Sequence, residues 1–61
     1  MRKTTYWIEN SNELDSKLAH IAFTFPCWVM RKYVEMDYSE ITIEARQEDM
    51  ASIENILAPL M

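Results

Sequence analysis

The residues best suited to covalent chemistry in this chain are its single cysteine, Cys27, and its single histidine, His20. A thiolate and an imidazole in contact can act as nucleophile and base. Cys27, however, follows Pro26 inside an apolar run, and His20 lies beside the apolar stripe of a predicted helix. A lone cysteine in such a run is more often a small buried residue than a nucleophile. We therefore expect neither residue to be catalytic.

Other catalytic motifs are excluded because the sequence contains no glycine. Glycine-rich phosphate loops, the dinucleotide-binding fingerprint and the nucleophile elbow all require it. The carboxylate pairs Glu40/Glu44 and Glu44/Glu48 are predicted to lie on a solvated face, whereas general acid–base catalysis needs a cleft. One cysteine and one histidine do not suffice for a zinc cluster, and the calcium-loop spacing is missing. The sequence predicts no enzyme, no cofactor and no metal.

The length of 61 residues predicts a single small domain, residues 1–61. A core of this size supplies only about 3–5 kcal/mol of stability. Since one cysteine excludes an intramolecular disulfide, association with a second chain is the stabilisation that remains. The unpaired thiol predicts a reducing, cytoplasmic location. The longest apolar stretch, about ten residues over 21–30, is too short for a membrane span of about 20, so no membrane partner is expected.

Three segments have the composition of strands. Residues 4–9 are β-branched and aromatic, and residues 40–46 alternate apolar with polar side chains. Residues 27–36 are ambiguous, because a period of two indicates a strand while Pro26 would suit the first turn of a helix. We favour the strand, since tryptophan, valine and tyrosine are enriched and a turn over 37–39 would complete a hairpin.

Two helices are predicted from apolar residues at steps of three and four. The first covers residues 11–23, with Asn10 as its N-cap and Pro26 beyond its end. The second begins at residue 47 and ends at Pro59. The predicted fold is α+β, a small β-α-β-β-α unit with a three-stranded, mainly antiparallel sheet and both helices on one face. This layout resembles a ferredoxin-like unit without its last strand, which leaves the first strand at an open edge that invites pairing.

Charge is unevenly distributed along the chain, whose net charge is −4. Residues 33–61 carry seven acidic side chains against one basic, whereas residues 1–32 carry five basic against three acidic. The acidic half is interpreted either as a solvated surface or as a face that docks on a basic protein in place of phosphates. Direct binding of nucleic acid is not expected, because it needs a basic patch.

Aromatic residues are the strongest candidates for contact with a partner. Tyr6 and Trp7 are adjacent in a predicted strand and must point to opposite faces. Trp28 and Tyr33 each stand beside a valine in the next strand. If both helices cover one face, aromatic side chains remain on the other, where they either bind a partner or flatten against their neighbours. Exposed aromatic residues and methionine are enriched at interfaces.

The sequence therefore predicts a non-catalytic acidic module that binds a protein, as an adaptor, regulatory subunit or inhibitor. Homodimer and hetero-complex both remain open, and so does the question whether the partner has a basic surface. One alternative is an inhibitor of the phage or mobile-element type that blocks a nucleic-acid-binding protein. An alternative of another class is a dimeric small-molecule sensing domain. The predicted partner-binding residues are Tyr6, Trp7, Trp28, Tyr33, Glu40, Glu44, Glu48 and Asp49.

Overall fold

The computed structural model describes residues 1–61 and shows a three-stranded antiparallel sheet with two α-helices. The elements in chain order are β1 (Arg2–Glu9), α1 (Asn12–Thr24), β2 (Cys27–Tyr33), β3 (Tyr38–Ala45), α2 (Gln47–Leu57) and a final 3-10 turn (Ala58–Leu60). This order confirms the predicted α+β class. It also confirms a strand after Pro26, which ends at Tyr33 and not at residue 36 as predicted.

The central strand of the sheet is β3, which pairs antiparallel with β1 on one side and with β2 on the other. The register runs without a break, with Tyr6 of β1 opposite Ile41 and Val29 of β2 opposite Ile43. Both β1 and β2 are therefore edge strands. The open edge at β1 is the one that the predicted layout anticipated.

The helices cover one face of the sheet and enclose a core of eleven buried apolar residues. Every second residue of a strand points to this face, so the strands contribute Tyr6, Ile8, Ile41, Ile43 and Ala45. The helices contribute Leu14, Leu18, Ile21, Met50, Ile53 and Leu57. These are the apolar stripes that the helical periodicity predicts. No helix in the structure combines the length and the apolar character that a membrane crossing requires.

The start of α1 differs from the prediction by one residue. Ser11, not Asn10, is the N-cap, because its backbone is extended and its Oγ accepts a hydrogen bond from the Leu14 N–H at 3.0 Å. The Asn10 side chain instead accepts hydrogen bonds from Arg31 and Ser39. The capping role predicted for Asn10 is therefore wrong, and its amide serves tertiary packing.

We expect Ser11→Ala to lower the free energy of unfolding by about 1 kcal/mol, because the Leu14 N–H loses its acceptor. Ser16→Ala is the matched control, since Ser16 is exposed inside α1 and caps nothing. Urea unfolding followed by circular dichroism measures both variants. Equal midpoints for the two would show that the cap contributes nothing.

The β2–β3 connection is placed earlier in the chain than the sequence predicts. The predicted turn over 37–39 is wrong, because β3 already begins at Tyr38 and Ser39 is fully buried. The reversal occurs around Glu35, whose N–H and C=O both bond to the backbone of Tyr38 at 3.4 Å. The start of β3 is set by β1, since Glu9 pairs with Tyr38. No residue has a positive φ, which is how the chain turns without glycine.

Candidate interaction surface

The face of the sheet opposite the helices is uncovered, and we call it the open face. Trp7, Trp28 and Met30 are its largest apolar residues, with 58%, 69% and 58% of their surface exposed. Strand alternation puts them there, because their neighbours in sequence point to the helices. The other side chains of the open face are Lys3, Thr5, Glu9, Lys32, Tyr38, Glu40, Thr42 and Glu44.

The open face is arranged in rows that cross the three strands. In the order β1, β3, β2, the two rows that contain both a lysine and a glutamate are Lys3–Glu44–Trp28 and Trp7–Glu40–Lys32. Each row contains one lysine, one glutamate and one tryptophan, and the order of the second is reversed. Between them, the hydroxyls of Thr5 and Thr42 are 3.2 Å apart. The tryptophans therefore occupy diagonally opposite corners, and both glutamates lie on the central strand.

The carboxylates of Glu40 and Glu44 are not engaged in ion pairs. The three ion pairs of the chain join Arg31 to Asp15 and Arg46 to two acids of α2, and none lies on the open face. Two exposed tryptophans lie beside these carboxylates, and tryptophan is enriched at interface hot spots, whereas glutamate is depleted there. The open face thus combines exposed aromatic area with two carboxylates, each of which has a lysine as its cross-strand neighbour.

Tyr6 is absent from the open face, which corrects the set of contact residues predicted from the sequence. It is buried, with 8% of its surface exposed, and its hydroxyl donates a hydrogen bond to Glu54 Oε1 at 3.2 Å. Its register opposite Ile41 turns it toward the helices. Burial, and secondarily the Glu54 carboxylate, raise the pKa of Tyr6 because both disfavour the phenolate.

Tyr33 is exposed but lies on the helix side of the sheet, so it does not join the two tryptophans. It pairs with Ser39, a residue of the covered face. The guanidinium carbon of Arg31 is 4.7 Å from the centre of the Tyr33 ring, which is a cation–π contact. The Tyr33 ring therefore has an intramolecular neighbour and is separate from the open face.

The four predicted acidic residues are divided between two layers of the molecule. Glu40 and Glu44 lie on the open face, whereas Glu48 and Asp49 lie in the first turn of α2. Arg46 Nε is 3.4 Å from a Glu48 carboxylate oxygen and 3.0 Å from one of Asp49. The acids of α2 are thus partly neutralised within the chain, and the four do not form one acidic row.

A polar network surrounds Arg31, and the sequence did not predict it. Its guanidinium donates from Nη1 to Asp15 at 2.5 Å, from Nη2 to Asn10 at 2.9 Å and from Nε to Ser39 at 3.1 Å. Ser39 also donates to Asn10. The sequence contained one signal, since Arg31 is two residues after Val29 and so shares its helix-facing side. The network joins the end of β1 and the start of α1 to the β2–β3 hairpin.

Cys27 and His20 each have their own partners. The half-buried Cys27 thiol donates to the Ile21 carbonyl at 3.7 Å. Burial and, to a smaller extent, the charge of Asp49 raise the pKa of Cys27, which disfavours the thiolate. His20 Nδ1 is 3.5 Å from the Thr24 hydroxyl on an exposed part of α1. The two side chains make no hydrogen bond with each other.

A cleft of about 260 Å³ lies between β1 and α2, away from the open face. Its lining is mostly polar and consists of Arg2, Thr4, Gln47, Met50, Ala51 and Glu54. The β1 residues of the cleft are helix-facing ones, so the cleft lies on the covered side of the sheet. Comparisons with protein families, with curated proteins and with solved structures find no match to the chain.

Proposed function

We propose that this chain is a non-catalytic module that binds a protein partner on the open face. The observation that carries the proposal is the exposure of Trp7, Trp28 and Met30 on one side of a sheet whose other side is the core. The other strongly exposed apolar residues belong to different parts of the chain: Met1 and Met61 at the ends, Phe23 on α1, Tyr33 on the helix side of β2 and Met36 in the β2–β3 loop. The open face is therefore the concentration of apolar contact area in the molecule.

Burial of the two tryptophans would supply part of the free energy of binding. An aromatic side chain buries about 150–250 Å² when it is fully covered. At about 25 cal/mol per Å², covering the exposed part of each tryptophan contributes about 2–4 kcal/mol. Both tryptophans lie on paired strands, so little backbone order has to be gained on binding. These values are in the range of interface hot spots.

Charge adds a preference for a basic partner. The chain carries a net charge of −4, and Glu40 and Glu44 lie between the two tryptophans without an ion-pair partner. Long-range attraction of this kind raises association rates and weakens as salt rises. The free thiol of Cys27 supports a cytoplasmic setting for the complex. Adaptor, regulatory subunit and inhibitor are the roles compatible with such a module.

The open face is tested with a tryptophan variant and a matched exposed aromatic. Wild-type chain, Trp28→Ser and Phe23→Ser are immobilised, and proteins captured from host extract are identified by mass spectrometry. The identified partner is then purified and its affinity for each chain is measured. We expect Trp28→Ser to weaken binding by at least about tenfold. Phe23→Ser should bind as tightly as wild type, because Phe23 is 93% exposed on α1.

Charge reversals on the open face and on α2 distinguish binding at the open face from docking on α2. Glu44→Lys changes the open face, and Glu48→Lys makes the same change on α2. We expect the first to weaken binding and the second to leave it within about threefold of wild type. If Glu48→Lys abolishes binding while Trp28→Ser does not, the partner docks on α2 and the proposal is overturned.

A further inference from the structure

One hydrogen bond shows which backbone N–H and C=O groups of β1 point outward from the free edge of the sheet. The Asn10 N–H donates to the Asp37 carbonyl at 2.6 Å, and the same register continues through β1. Hydrogen-bonded and non-hydrogen-bonded pairs alternate along an antiparallel ladder. Even-numbered residues of β1 therefore bond to β3. The outward N–H and C=O groups belong to the odd-numbered residues Lys3, Thr5, Trp7 and Glu9.

The two edges of the sheet differ in how well they resist added strands. The β2 edge carries two positive charges, and one of them, Arg31, points toward the core. Inward-pointing charges are a common protection of edge strands. The inward-facing charge of β1, Arg2, is confined to the first residue of the strand, and the middle of β1, residues 4–8, contains neither a charge nor a proline. The β1 edge is therefore the one prepared to accept another strand.

The charges at the ends of β1 complement those of a second copy. The open-face side chain near its start is Lys3, and the one at its end is Glu9. Two antiparallel copies centred on Tyr6 place Lys3 opposite Glu9 of the second copy, and Thr5 opposite Trp7. A parallel arrangement would instead align like charges. Residues with outward backbone groups meet each other in the antiparallel register, so each such pair can exchange two hydrogen bonds.

We infer that the chain forms a homodimer in which the β1 strands of two copies pair antiparallel, centred on Tyr6. The product is a continuous sheet with three strands from each copy. Such a contact uses the same surface patch on both subunits, as two-fold symmetry requires. It also joins the two open faces, with Trp7 of each copy near the seam. This inference holds whether or not the open face binds a further protein.

Amide exchange of the purified chain tests the seam directly. The outward amides of Thr5 and Trp7 should become protected as protein concentration rises through the dimerisation range found by sedimentation. The amides of Val29 and Arg31 point outward from β2 by the same alternation, since the Val34 N–H bonds to Tyr38, and they should stay unprotected. A chain that remains monomeric at millimolar concentration overturns the inference. So does a dimer whose β1 amides exchange freely.

A charge exchange tests the register. Glu9→Lys sets like charges against Lys3 of the second copy twice per dimer, and we expect at least about tenfold weaker dimerisation. Within one copy Glu9 faces Tyr38, so the variant brings no like charges together inside the fold. Adding Lys3→Glu should restore dimerisation to within about threefold of wild type. Glu35→Lys, the same change in the exposed β2–β3 loop, is the control and should have no effect.

The charge-exchange series overturns the register if Glu9→Lys dimerises as well as wild type. It also does so if the double variant stays as weak as the single one. Sedimentation of the purified chain alone provides this readout. Trp28, the residue that tests the open face, is on β2 at the opposite edge of the sheet. Failure of the dimer and failure of partner binding are therefore separate results.

Discussion

Replacing Ile43 with alanine is expected to unfold a large fraction of the chain at 25 °C. Ile43 is fully buried on the central strand, between Thr4 of β1 and Val29 of β2. Truncation of such a residue costs about 2–5 kcal/mol, because transfer energy is lost and a cavity remains. A domain of this size has only about 3–5 kcal/mol in total.

Urea unfolding at one fixed protein concentration measures this effect, since dimerisation would otherwise shift the midpoint. Ile43→Val removes one methylene and should cost about 0.5–1.5 kcal/mol. Phe23→Ala is the control for an exposed apolar residue and should stay within about 0.5 kcal/mol of wild type. A loss below about 1 kcal/mol for Ile43→Ala would mean that the site collapses around the cavity or that the core is not packed as described.

Replacing Arg31 with methionine is expected to cost about 2–3 kcal/mol. The side chain is 20% exposed and donates to Asp15, Asn10 and Ser39. Its removal leaves acceptors without their charged donor, and Ser39 is fully buried. Loss of one partner from a largely desolvated network is costly for this reason.

Two further variants separate the network from a simple charge effect. Arg31→Lys should recover only part of the loss, because an ammonium group does not reproduce the planar fork of donors. Arg46→Met removes the other ion-paired arginine, whose side chain is 52% exposed, and should cost less than about 1 kcal/mol. Unfolding free energies from urea titration decide the comparison. If both methionine variants lose the same small amount, the Arg31 network contributes no more than a surface ion pair.

The periodicity of apolar residues was sufficient to predict most of the helices and strands. The alternation around Ile41 and Ile43 and the helical stripes of α1 and α2 predicted elements that the structure contains. These patterns are local, because a side chain's direction depends on its own backbone geometry. The same rule required Tyr6 and Trp7 to point to opposite faces, and they do.

The sequence predicted the ends of the elements and the long-range contacts less well. Asn10 and Ser11 are both good N-caps, and the choice between them depended on whether Asn10 had a tertiary partner. It has one in Arg31, which is distant in sequence. The start of β3 likewise depended on Glu9, which pairs with Tyr38 across the sheet.

The sequence by itself determined which side chains share a face, since a strand alternates and a helix repeats whatever surrounds it. Only the tertiary structure decided which face is covered. The packing of both helices on one side buried Tyr6, left Trp7 and Trp28 in solvent, and separated Glu40 from Asp49. Packing, register and strand order arise from contacts between residues far apart in the chain. No local pattern encodes them.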